Sequence, residues 1–165
     1  MTYFLTFSCY GARLHGEESG SVDPNHNVPG HRLLEPNTSR VLSAQKRMTQ
    51  EPYVMDEPRR NRVLQAVQEH CKFRDWMLLA VHVRSNHVHI VLDVPVAPEK
   101  AMNELKAYAS RSLNRAGLDE PDRRRWSRHG STRYPWTREQ REAAINYVIT
   151  GQGQKMAAFA CERPW

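Results

Sequence analysis

The chain has 165 residues, the size of one domain, and its 24 Lys and Arg outweigh 18 Asp and Glu to give a formal net charge of +6. Hydrophobic residues make up 39% and charged residues 25%, which is typical of a globular protein and excludes an intrinsically disordered one. No apolar run approaches the roughly 20 residues of a membrane span, and the first residues do not resemble a secretion signal. The three cysteines have no metal-ligand spacing and fit a reducing compartment. We therefore expect a single cytoplasmic domain over residues 1–165 that is not secreted, not a membrane protein and not a zinc ribbon.

The first part of the chain predicts a strand, a long loop and a helix. Residues 2–9 are rich in aromatic and β-branched side chains, which favour a strand. Residues 10–38 contain many glycines and prolines, so we expect a long loop insertion there, and residues 39–50 have the pattern of a short helix. A firmer helix begins after Asp56, a favoured N-cap residue, and its apolar residues recur on one face as far as Cys71.

The middle of the chain predicts a β-hairpin and a second helix. Two apolar runs, 76–83 and 87–94, flank three polar residues. Apolar residues then recur at helical spacing over 98–116, and Gly117 is suited to end that helix. An Arg-rich connection leads to residues 126–136, which predict a further strand or a loop.

The last helix has the clearest boundaries. Thr137 and Gln140 form a capping box, and Gly151 is suited to end the helix, so we expect residues 151–165 to be a C-terminal tail. The order strand, helix, strand, strand, helix, strand, helix predicts a ferredoxin-like (RRM-like) α+β fold. We expect an antiparallel sheet with helices on one face and an extra C-terminal helix that carries Tyr147.

Two histidines in the hairpin form the first candidate site. Because side chains alternate along a strand, His87 and His89 point to one face, whereas Val88 and Ile90 point to the other and would pack on the helices. Two imidazoles on one face make half of a site for a divalent metal, but a bare His-x-His pair also occurs as two polar residues on an exposed sheet face. His82 lies nearby across the turn, and we assign it a supporting or structural role.

Tyr147 is the second candidate. Ala143 and Ala144 precede it by one turn and leave space beside the ring. A tyrosine here is either a phenolic nucleophile that attacks phosphorus or, more commonly, an aromatic anchor of the core. Gln152 and Gln154 follow the helix, and their side-chain oxygens are able to complete a metal site, although surface glutamines are common.

The positive charge is concentrated between residues 106 and 141, where ten basic residues outnumber four acidic ones. Arginine suits a phosphate backbone, whereas the alternative is a solvated basic face without a partner. Interleaved aromatic residues are able to stack on unpaired bases or to pack in the core: Tyr108, Trp126, Tyr134 and Trp136. The residues predicted to bind DNA are Lys106, Arg111, Arg115, Arg123, Arg124, Arg125, Arg128 and Arg133.

Residues 85–91 read Ser-Asn-His-Val-His-Ile-Val and, with the late Tyr147, resemble the single-tyrosine HUH transposases of bacterial insertion sequences, which include the REP-associated tyrosine transposases. Segments 8–11, 14–22, 103–111 and 126–136 agree in the same order along the chain. The resemblance implies cleavage and rejoining of single-stranded DNA near hairpins. It also implies that the tyrosine forms a 5′-phosphotyrosine intermediate and frees a 3′-hydroxyl.

The resemblance implies roles for individual residues. Tyr147 would be the nucleophile, and His87 and His89 would hold Mg²⁺ or Mn²⁺. Relatives often use a Gln or Asn one turn after the tyrosine as a third ligand, but Gly151 stands there, so Gln152 is the candidate and Gln154 lies behind it. The family also implies a homodimer, with its site built in cis or in trans, that binds single-stranded or hairpin DNA at the bacterial nucleoid.

Two other functions remain open. A non-catalytic module that binds single-stranded or hairpin nucleic acid, derived from such a transposase, would explain the basic cluster equally well. A small metal-dependent hydrolase would use the histidine pair alone. Only a transposase-type enzyme uses His87, His89 and Tyr147 together.

Overall fold

The computed structural model of the protein describes residues 1–12 and 48–162. Most of the expected loop over 10–38, and nearly all of the expected short helix over 39–50, lie outside these described residues. In the described parts of the chain, strands and helices follow in this order: β1 (Thr2–Cys9), α1 (Glu57–Phe73), β2 (Met77–Val83), β3 (His87–Asp93), α2 (Pro98–Arg115), β4 (Trp126–Arg133), α3 (Arg138–Thr150) and β5 (Ala157–Ala160).

The strands form one antiparallel sheet in the order β4-β1-β3-β2-β5. Strands β1 to β4, with α1 and α2 between them, have the ferredoxin-like order, so the predicted fold class is confirmed. The prediction of a tail over 151–165 missed β5, which pairs with the edge of β2 from Ala80↔Ala160 to Val83↔Ala157. The sequence of β5 is Ala-Ala-Phe-Ala, and alanine is a weak strand former, so pairing with β2 rather than local preference makes this strand.

Helices α1 and α2 cover one face of the sheet and build the main core. On β3 the inward residues Val88, Ile90 and Leu92 are fully buried against them, as the alternation predicts. The N-cap prediction is also confirmed, since the Asp56 side chain accepts a hydrogen bond from the Arg59 N–H at 3.1 Å.

Helix α3 packs on the opposite face. Its capping box is complete, because the Gln140 N–H donates to Thr137 Oγ1 at 3.1 Å and the Thr137 N–H donates to Gln140 Oε1 at 3.0 Å. Val148 is its only buried side chain and contacts a second, smaller core cluster that includes Phe4 and Val91. None of the described helices is long and apolar enough to cross a membrane.

Candidate active site

The two histidines of β3 face α3 and lie side by side, with ring centroids 4.6 Å apart. His87 Nδ1 lies 2.6 Å from Asn86 Oδ1, and His89 Nδ1 lies 2.7 Å from the Oγ1 of Thr6, its partner on β1. Because an amide oxygen only accepts, His87 Nδ1 carries a proton and donates in this contact. The neighbours of the rings therefore set their orientation.

Tyr147 lies beside this pair. Helix α3 places its ring 5.7 Å from the His89 ring and 5.9 Å from the Phe4 ring, centroid to centroid. The residue is 48% exposed, so an external phosphate can approach the phenol. The Phe4 ring packs edge-on against the tyrosine, and the small residue Ala144 lies beside the same apolar cluster.

Gln152 reaches the pair from the turn after α3. Its Oε1 lies 3.4 Å from His87 Nε2, and its amide nitrogen donates to the Tyr147 backbone oxygen at 3.4 Å. An imidazole nitrogen and an amide oxygen thus lie side by side, and both are atom types that bind divalent cations. Gln154 lies in the same turn, and its backbone oxygen accepts a hydrogen bond from the Arg84 guanidinium.

This donor set fits a divalent metal. It offers two imidazoles and one amide oxygen, a mixture compatible with Mn²⁺ and, once phosphate and water oxygens are added, with Mg²⁺. Among residues 1–12 and 48–162, no group of three or more His, Cys, Asp and Glu side chains could hold a metal ion.

His82 is more closely integrated in the site than the sequence analysis proposed. It pairs with His89 in the β2–β3 register and is fully buried under α3. Its Nδ1 lies 2.8 Å from the Val148 backbone oxygen, and its Nε2 accepts a hydrogen bond from the Met156 N–H at 2.9 Å. Burial lowers the pKa of His82 from its ordinary value.

Three polar residues between the predicted strands left this register open, and the structure fixes it. The Arg84 N–H donates to the His87 backbone oxygen at 2.8 Å, so the hairpin loop consists of Ser85 and Asn86 alone. A two-residue loop fixes the register of a hairpin and by itself sets His82 opposite His89.

Two of the residues predicted to contact DNA are buried, which argues against that role. Arg125 is 4% exposed, ion-paired to Asp119 at 3.2 Å and donating to Asn114 Oδ1 at 2.6 Å. Lys106 lies under β4 and donates to the Ser127 and His129 backbone oxygens at 3.0 and 3.2 Å. Burial lowers the pKa of Lys106 to about 8. The partners of both residues lie within the fold, so these side chains are part of its interior.

The other predicted DNA contacts differ in exposure. Arg123 is half-buried and donates to Gln50 Oε1 and to the Glu51 backbone oxygen. The remaining five arginines are exposed and stay predictions: Arg111, Arg115, Arg124, Arg128 and Arg133.

The aromatic candidates divide in the same way. The Trp126 ring packs edge-on against Phe7 at 5.1 Å and its indole N–H donates to the Lys106 backbone oxygen, so Trp126 serves packing. Tyr108 packs against His70, with ring centroids 5.0 Å apart. Tyr134 and Trp136 stack on each other at 5.5 Å with 12° between their planes, and Trp136 remains 66% exposed.

Comparison with known proteins gives a family match. The family described as "Transposase IS200 like" matches residues 41–147, which is more than half of the chain and includes His87, His89 and Tyr147. Among solved structures, the "Structure of the REP associates tyrosine transposase bound to a REP hairpin" is similar at a TM-score of 0.49 and 12% identity. That match covers 91% of this chain, which spans 65% of the other chain. No curated protein matches the sequence.

Proposed function

Because the chain belongs to the family of IS200-like transposases, we propose that it cuts and rejoins single-stranded DNA through a covalent bond to Tyr147. The observation that carries this proposal is the cluster on the α3 face of the sheet. There a half-exposed phenol lies against a paired-histidine site whose third donor is the Gln152 amide oxygen.

Tyr147 would act as the nucleophile. Its phenolic oxygen attacks the scissile phosphorus and forms a new P–O bond, while the bond from phosphorus to the 3′ oxygen breaks. The phenol gives up its proton and the 3′ oxygen gains one, so the products are a 5′-phosphotyrosine and a free 3′-hydroxyl. Rejoining reverses this exchange with another 3′-hydroxyl. It needs no energy source, because each step replaces one phosphodiester by another.

His87, His89 and Gln152 would hold Mg²⁺ or Mn²⁺. Bound there, the ion would polarise the scissile phosphate and orient it for attack. Two features support this assignment. His87 carries a proton on Nδ1 and has its Nε2 toward the Gln152 oxygen, and Thr6 lies behind His89 as the kind of outer partner that fixes metal-binding imidazoles. Imidazoles are weak ligands for Mg²⁺, so we expect DNA phosphate oxygens to strengthen metal binding.

The proposed DNA path leads from this cluster to the β4 edge of the sheet. Arg133 is exposed at the end of β4, and it pairs in the register with Phe4, the residue that contacts the Tyr147 ring. The Tyr134–Trp136 stack follows Arg133 along the chain. Because Tyr134 packs edge-on against Tyr3 of the α1/α2 core, the stack reaches the β4 edge from that face, where the exposed Trp136 ring offers a flat surface for an unpaired base. As the family resemblance implies, we propose a hairpin next to the cleavage site and a homodimer as the working assembly.

A covalent-trapping experiment tests the proposal. The protein is mixed with labelled hairpin oligonucleotides taken from the DNA that flanks its gene, with Mn²⁺, and run on a denaturing gel. We expect an adduct that disappears in Tyr147→Phe and on addition of a chelator. Tyr108→Phe is the matched control, since Tyr108 lies on α2, on the opposite face, and should leave the adduct unchanged.

Other outcomes would assign the protein differently. An adduct that persists in Tyr147→Phe would reject the proposed nucleophile. Tight binding without an adduct on any of the oligonucleotides would favour a non-catalytic DNA-binding module. Strand cleavage that continues in Tyr147→Phe, without an adduct, would favour a metal-dependent hydrolase.

A further inference from the structure

We propose that His82 is a positioning residue that holds both the nucleophile and the third metal donor over the histidine pair; this inference rests on the proposed function. A single buried imidazole bonds to the backbone on both sides of the turn that carries Gln152. Val148, the residue after Tyr147, receives one bond, and Met156, just before β5, makes the other.

The backbone dictates one state of this imidazole. The Val148 carbonyl oxygen only accepts, so His82 Nδ1 has to donate; the Met156 N–H only donates, so Nε2 has to accept. Only the neutral ring with its proton on Nδ1 meets both demands. In the other tautomer, Nδ1 would face the Val148 oxygen without a proton and the Nε2–H would face the Met156 N–H. In the imidazolium, the Nε2–H would again face the Met156 N–H. Because His82 is fully buried, water cannot replace either partner.

Helix α3 is packed lightly at its C-terminal end, where Ile145 and Ile149 are only partly buried against the small cluster. Val148 is its only buried side chain, and the last carbonyl groups of a helix have no partner within the helix. The His82 bond fills one of these carbonyls at the residue next to Tyr147. A small rotation of α3 would carry the phenol away from His89, since successive residues lie about 100° apart around a helix.

The same imidazole fixes the far end of the Gln152 turn. At the near end, the Gly151 N–H donates to the Tyr147 backbone oxygen at 2.9 Å. At the far end, Met156 is held by His82, and Arg84 bonds to the Gln154 backbone oxygen. The distance from Gln152 Oε1 to His87 Nε2 therefore depends on the His82–Met156 bond.

Two substitutions separate these two tasks. Asparagine places an amide nitrogen near the position of His Nδ1, so His82→Asn keeps the bond to Val148 and loses the acceptor for Met156. Glutamine places its amide near the position of Nε2, so His82→Gln keeps the acceptor for Met156 and loses the donor to Val148. The matched control is His70→Asn, because His70 is also buried but lies on the α1/α2 face, 3.0 Å from Glu104.

Three readouts are compared per folded molecule, with the folded fraction taken from circular dichroism. They are the NOE between the Tyr147 and His89 rings, the affinity for Mn²⁺ alone from electron paramagnetic resonance, and the rate of adduct formation. His82→Gln should weaken the ring NOE and slow adduct formation by about 100-fold, the cost of a displacement of roughly 1 Å. His82→Asn should keep the NOE and lower the Mn²⁺ affinity by about 10-fold, as for other residues that orient metal ligands.

The outcomes decide the inference separately from the proposed function. If His82→Gln and His82→Asn match His70→Asn in the NOE, in Mn²⁺ affinity and in rate, then His82 only stabilises the fold and the inference is wrong. If the wild-type protein forms no adduct, the proposed function fails. The NOE, which needs neither DNA nor metal, still shows whether His82 positions Tyr147.

Discussion

The two faces of the sheet are built from the same strands but differ in what they bury. The α1/α2 face is a continuous apolar core beside which the buried Arg125 is ion-paired with Asp119. The α3 face has only a small apolar cluster and keeps His82, His87 and His89 under or beside the helix. One face stabilises the fold, and the other holds polar groups in a fixed arrangement.

This difference follows from strand alternation. On β3, every second residue is Val, Ile or Leu and faces α1 and α2, while the residues between them include the two histidines. A protein of this size gains enough from one well-packed face to tolerate a polar one. Substitutions on the two faces should therefore affect different quantities, and the predictions below test that separation from the largest effect to the smallest.

The largest effect should come from the metal site. His89→Ala removes a proposed ligand, so we expect adduct formation to fall at least about 100-fold, as it should after chelation of the metal. Thr6→Val keeps the shape of the residue behind His89 but loses the contact to Nδ1, and should lower Mn²⁺ affinity by about 10-fold. Titration with Mn²⁺ and denaturing gels measure both. If His89→Ala formed the adduct at the wild-type rate, the proposal of a metal site on the α3 face would be wrong.

The next effect concerns the α1/α2 face. Arg125→Ala leaves Asp119 buried with Arg59 and Tyr53 as its remaining partners, so we expect a loss of about 3 kcal/mol in the free energy of unfolding. Urea denaturation measures this loss. Arg124→Ala is the matched control, because its exposed neighbouring side chain should change stability by less than about 0.5 kcal/mol. The folded fraction of Arg125→Ala should still form the adduct at the wild-type rate; a slower rate would show that the two faces are coupled.

A smaller effect on the same face depends on pH. Burial lowers the pKa of Lys106 from 10.5 to about 8, so above pH 8 the unfolded chain keeps a proton that the folded protein releases. Stability attributable to Lys106 therefore rises with pH, by about 1 kcal/mol between pH 8 and 9. The pKa values of the Cys9 and Cys71 thiols are raised to about 12 by burial, and these groups act in the opposite direction.

The difference in pH dependence between the wild type and Lys106→Met isolates the contribution of this lysine to the free energy of unfolding. Urea denaturation at the two pH values should show an increment in the wild type that Lys106→Met lacks. Lys100→Met, on the exposed surface of α2, should keep it. An equal increment in all three proteins would mean that Lys106 keeps an ordinary pKa.

How much the sequence predicts depends on whether the determinants are local. The alternation on β3 and the capping box of α3 are local patterns, and both were predicted correctly. The role of Arg125 was not, because the sequence shows its charge but not the long-range partners Tyr53 and Arg59 that hold Asp119 beside it. Strand β5 was missed for the same reason, since only the edge of β2 makes a strand of its alanines.

The smallest effect would show which face the DNA follows. Arg133 pairs with Phe4, so its side chain is on the α3 face, whereas Arg111 lies on α2, across the sheet. If DNA runs along the α3 face, Arg133→Ala should weaken hairpin binding several-fold and reduce the slope of log affinity against log salt by about 1, because one phosphate contact is lost. Arg111→Ala should change neither quantity in fluorescence anisotropy titrations over a range of salt concentrations. Equal losses in both variants would mean that DNA contacts both faces, and the basic residues of α2 would then join the binding surface.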